Sequence, residues 1–102
     1  INNPIINSTE LFQGANLIVT NDKTRKSKPQ DIIVYTNDAI ELSWLVFKLK
    51  DLFQEDIDYV NKYSFYTHIG ELINKAIKKG LNLKEQMLYV IDNLGEFIKK
   101  ST

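Results

Sequence analysis

Residues 38–53 read DAIELSWLVFKLKDLF, and their spacing decides how the chain is organised. Asp38 followed by Glu41 has the form of a capping box, in which each side chain satisfies a free backbone N–H at a helix start. Leu42, Leu45, Val46, Leu49 and Phe53 then recur at helical spacing and make one apolar stripe. Ile40, Trp44 and Phe47, at i, i+4 and i+7, make a second stripe on nearly the opposite side. A helix apolar on two faces is either sandwiched between layers or keeps one face for a partner. Only two short strands are available to cover Ile40, Trp44 and Phe47. That face is therefore read as a partner or dimer surface, with Trp44 as its anchor.

Towards the N-terminus, Asn16–Thr20 (NLIVT) and Asp31–Thr36 (DIIVYT) are rich in β-branched residues and read as strands. The polar stretch 21–30 between them sets Lys23, Arg25, Lys26 and Lys28 against Asp22, a net +3. A β-hairpin closed by a long, mobile, basic loop is the simplest account, although such loops are usually shorter. Residues 1–15 show scattered apolar positions without a period.

Towards the C-terminus, 54–64 is an acidic junction with room for a short helix. A third helix is expected over Phe65–Lys79, with Phe65, Ile69, Leu72, Ile73, Ala76 and Ile77 on one side. Gly80 suits the left-handed residue that closes a helix. Asn82 followed by Glu85 repeats the capping box and opens a last helix through about Ile98. Its stripe is Leu83, Met87, Val90, Ile91, Leu94, Phe97 and Ile98. With no repeat and no linker, 1–102 is expected to be a single domain. The expected class is α+β: an N-terminal β-hairpin or strand pair, then three to four antiparallel helices. A mainly α-helical bundle with an irregular N-terminal third is the alternative.

Composition narrows the chemistry. The 102 residues carry thirteen Lys plus Arg against thirteen Asp plus Glu, so no basic surplus marks a nucleic-acid coat protein. Arg25 is the only arginine, and arginine is the residue that reads guanine edges bidentately. There is no cysteine, which excludes disulfides, thiol nucleophiles and cysteine–zinc sites. Wholly apolar runs stay short, as in Trp44–Phe47, so no membrane span is expected. The cytoplasm is the default location, since a removed signal peptide leaves no trace. Ile at position 1 reads as a processed chain or a piece of a longer one.

The candidates for catalysis are thin. His68, the only histidine, falls beside Thr67 and Glu71 on the polar flank of its helix and reads as a surface residue. Asp51, Glu55, Asp56 and Asp58 lack the ligand spacing and the central glycine of a calcium loop. The four glycines are isolated, so no phosphate loop is present. No cofactor and no enzymatic activity is expected.

Two binding readings remain. The leading one is a small non-enzymatic interaction or regulatory module whose partner is another protein or a second copy. Its interface would use Ile40, Trp44 and Phe47 together with Tyr59, Tyr63 and Tyr66, since tyrosines bury much area at low entropic cost. Opposed charge supports it, with Lys75, Lys78 and Lys79 on the third helix and Glu85, Asp92 and Glu96 on the last. The short, cysteine-free, Lys/Asn/Ile-rich style is that of small bacterial or phage regulators.

The alternative is a helix-turn-helix-like nucleic-acid binder. Ala76 and Gly80 have the spacing of such a turn, and Lys23, Arg25, Lys26, Lys28, Lys78 and Lys79 would meet phosphates. Gln86 and Asn93 would then face base edges. An acidic stripe of Glu85, Asp92 and Glu96 beside Tyr89 opposes this reading.

Overall fold

The computed structural model describes residues 12–14, 16–26, 28–54 and 62–101. It is an α+β fold, with three strands followed by three helices among the described residues. The strands are β1 (Phe12–Gly14), β2 (Leu17–Thr20) and β3 (Ile32–Tyr35). The helices are α1 (Ala39–Leu52), α2 (Lys62–Lys78) and α3 (Leu83–Ser101). Most of the acidic junction at 54–64 lies outside the described residues.

The strand pairing corrects the expected hairpin. β2 lies centrally and pairs with β3 in parallel, with Leu17 opposite Ile32 and Thr20 opposite Tyr35. Its antiparallel partner is β1, with Phe12 opposite Val19 and Gly14 opposite Leu17. The turn between these two strands takes Asn16 at φ 73°, in the left-handed region that asparagine tolerates better than most residues. The basic stretch is therefore a crossover that returns the chain to the start of the sheet. Its length, close to a dozen residues, is what a parallel connection requires. All four residues of β2 are buried, the pattern of a strand covered on both faces.

The crossover is also held rather than loose. Asp22 accepts from the Thr24 hydroxyl at 2.6 Å and the Thr24 N–H at 2.9 Å. These two bonds hold the Asp22 carboxyl below its usual range. The Tyr35 hydroxyl donates to the Arg25 carbonyl at 2.6 Å, and the Arg25 guanidinium donates to the Lys26 carbonyl.

One hydrophobic cluster joins the layers: Leu17, Val19 and Val34 from the sheet, Leu42, Val46 and Leu49 from α1, Phe65, Ile69 and Ile73 from α2, and Val90, Leu94 and Ile98 from α3. α2 lies close on the sheet because residue 70 is glycine. A Cβ there would stand 2.7 Å from Ile32 Cγ2 and 2.8 Å from Leu17 Cδ1. One turn further, the Asn74 side chain donates to the Ile33 carbonyl at 3.3 Å.

The helix ends divide the two capping expectations. At α3, the Asn82 N–H donates to Glu85 Oε1 and the Glu85 N–H to Asn82 Oδ1, both at 2.9 Å. At α1 the box does not form: Asp38 makes no side-chain cap bond, and its own N–H is taken by Thr36 Oγ1 at 3.0 Å. Between α2 and α3, Gly80 takes φ +79°. Gly80 N–H donates to the Ile77 carbonyl and Leu81 N–H to the Ala76 carbonyl, the paired bonds of a Schellman turn.

Candidate functional site

The two stripes of α1 have opposite fates. Leu42, Leu45, Val46 and Leu49 are buried, and Phe53 just past the helix is partly so. Ile40, Trp44 and Phe47 are exposed by 41%, 64% and 40%. The Trp44 and Phe47 rings tilt together, with centroids 6.0 Å apart. The sheet and the other helices pack on the inner stripe alone, so a large aromatic pair and an isoleucine face solvent on one helix face. Burying a tryptophan and a phenylalanine is among the strongest single contributions to association that side chains offer. Glu41 and Lys48 flank this face and are both exposed.

Of the three candidate tyrosines, Tyr66 does not join it. Tyr66 is a core residue at 4% exposure, its ring edge-on to Phe65 at 5.4 Å, and burial pushes its hydroxyl above the usual tyrosine range. It lines the interior rather than an outer surface. Tyr59 and the side chain of Tyr63 lie outside the described residues, as do Glu55, Asp56 and Asp58.

The nucleic-acid candidates are dispersed over different elements. Lys23, Lys26 and Lys28 are exposed on the crossover and Arg25 is partly buried there. Lys78 and Lys79 are exposed at the far end of α2, where Lys79 Nζ sits 6.0 Å from the centre of the Tyr89 ring. The base-reading pair is not available: Gln86 is buried and its side-chain amide donates to the Leu81 carbonyl at 2.8 Å. Asn93 turns back on its own helix, donating to the Tyr89 carbonyl at 2.7 Å.

No family model, curated protein or solved structure matches the chain.

His68 is not the solvated surface histidine expected from its neighbours. Its ring stacks on Phe97 with centroids 4.1 Å apart and planes 21° from parallel, joining α2 to α3. Burial pulls its pKa below the ordinary imidazole value, opposed by Glu71, whose carboxylate lies 3.9 Å away, and reinforced by Lys75. With Leu72, Lys75, Tyr89 and Glu96 it lines an open groove of about 240 Å³ between these helices. Nothing in that groove sets a nucleophile against a base. Among the described residues, no group of three or more His, Asp or Glu is placed to hold a metal ion. No helix of the described residues is long and apolar enough to cross a membrane.

One exposed apolar pair escaped the periodicity. Ile91, assigned to the buried stripe of the last helix, is exposed, and so is Leu88 beside it. Gln86 takes an inward position instead. The signal was present as Leu88 and Ile91 lying three apart, but Ile91 also falls next to the true core positions Val90 and Leu94.

Proposed function

We propose that the chain is a small, non-enzymatic interaction module that works by protein–protein contact through the outer face of α1, and that it self-associates there. The observation that supports this reading is Trp44, 64% exposed against the half-exposed Phe47 ring on a rigid helix. A rigid aromatic anchor on regular structure loses little entropy when a partner covers it.

The test is Trp44→Ala followed by light scattering from about 10 μM to about 1 mM, the range in which a weak, modest-sized interface populates dimer. The wild-type mass should rise with concentration while the variant, with unchanged circular dichroism, stays monomeric. Equal masses for the two chains would overturn the reading. Retention of duplex or single-stranded DNA in a low-salt gel shift, lost on reversing Lys23, Lys26 and Lys28, would favour a nucleic-acid role instead.

A further inference from the structure

We infer that α1 packs antiparallel against α1 of a second copy, about a two-fold axis near Trp44 that sets Glu41 of each copy beside Lys48 of the other. This rests on the reading of the α1 face as self-associating and gives that contact its direction. Glu41 and Lys48 lie seven residues apart, so they share one flank of the Ile40–Trp44–Phe47 stripe, about 10 Å from each other along the helix. Both are exposed, and neither has an ion-pair partner among the described residues.

Their opposite signs choose between the two symmetric ways of pairing such helices. In a parallel pair the axis runs along the helices, so the flank carrying Glu41 and Lys48 faces the opposite flank of the second copy, which carries Lys50, and Glu41 and Lys48 do not meet. In an antiparallel pair, like flanks meet with the chain directions reversed. The midpoint of Glu41 and Lys48 falls between residues 44 and 45, so an axis there sets Glu41 of each copy against Lys48 of the other, two opposite-charge pairs. A flank whose charges invert about the centre of an apolar stripe is complementary to itself, which identifies the occupant as a second copy.

The absence of cysteine makes the test direct. Glu41→Cys and Lys48→Cys chains are oxidised separately and as an equal mixture. The covalent dimer should accumulate in the mixture and be lost from either chain alone, and Trp44→Ala introduced into both chains should abolish it. Crosslinking of Glu41→Cys alone, as fast as in the mixture, would set residue 41 against its own copy, move the axis away from Trp44 and overturn the inference. No crosslink in any sample, while the wild type still forms a dimer that Trp44→Ala removes, would overturn the direction and leave the self-associating face standing. A wild type that is monomeric throughout the concentration series would overturn both.

Discussion

The His68 ring lies flat on the Phe97 ring, 4.1 Å between centroids, and ties the middle of α2 to the end of α3. A contact of this kind makes a titratable group part of the packing. Because burial lowers the His68 pKa, the folded chain refuses a proton that the unfolded chain accepts just below the ordinary value of 6.5. Stability should be full above that value, fall as pH drops towards the lowered folded pKa, and level off beneath it. His68 is the only histidine, so a single imidazole signal in an NMR titration reports it. Phe97→Ala should move its midpoint back upward and flatten the dependence of urea midpoint on pH.

Two glycines inside helices should respond in opposite directions to the same substitution. At Gly70 a methyl group meets Ile32 and Leu17 side chains inside 3 Å, in a part of the core that cannot give way freely. The overpacking cost of about 1–3 kcal/mol should outweigh the helix-propensity gain of about 1 kcal/mol. At Gly95 nothing lies within 4 Å of the added Cβ, so only the gain remains. Chemical denaturation should find Gly70→Ala less stable than the wild type and Gly95→Ala more stable.

The two helix starts should differ in the same way. Asn82→Ala removes an acceptor that is in use and leaves the Glu85 N–H without its partner, so it should cost about 1 kcal/mol. Asp38→Ala removes a carboxylate that makes no cap bond, and its effect should be no more than a few tenths. Thermal midpoints of the two variants separate these outcomes.

Charge reversal reads the direction of the α1 pairing without any covalent trap. Glu41→Lys should weaken the dimer roughly tenfold, about 1.4 kcal/mol, by setting two lysines against two lysines across the axis. Adding Lys48→Glu to the same chain should restore it. Lys78→Glu, which changes the net charge as much on another helix, should leave the dissociation constant unchanged. Sedimentation at low and high salt provides the comparison, since the differences should shrink as screening increases.

The legible part of the fold was the helices, because each carries a repeating inner stripe: Leu42, Leu45, Val46 and Leu49 in one, Phe65, Ile69 and Ile73 in the next. Asn82, Glu85 and Gly80 also behaved as their types suggest, since caps and left-handed turns are local chemistry. Strand pairing is not local. LIVT and IIVY are mostly apolar runs rather than alternating ones, the mark of a parallel arrangement, with LIVT buried throughout and IIVY only at Val34. Proximity in the chain suggested a hairpin, while the real hairpin partner, FQG, is too short and mixed to show a period. For the candidate site, the outer stripe of α1 was readable because two apolar faces are rare on one helix. The burial of Tyr66 was not, since a tyrosine beside Phe65 reads equally well as core or as surface. His68 and Phe97 lie 29 positions apart, and no pattern in one helix predicts a ring supplied by another.

Finally, the bond from Asn74 to Ile33 bears on how the molecule avoids sticking to others. The main chain of Ile32 and Thr36 bonds inward to β2, so the Ile33 carbonyl faces away from the sheet. It is the group an incoming foreign strand would seize first, and α2 already occupies it. Among the described residues, the opposite border is the three residues of β1. A sheet edge so guarded offers little to amyloid-like extension.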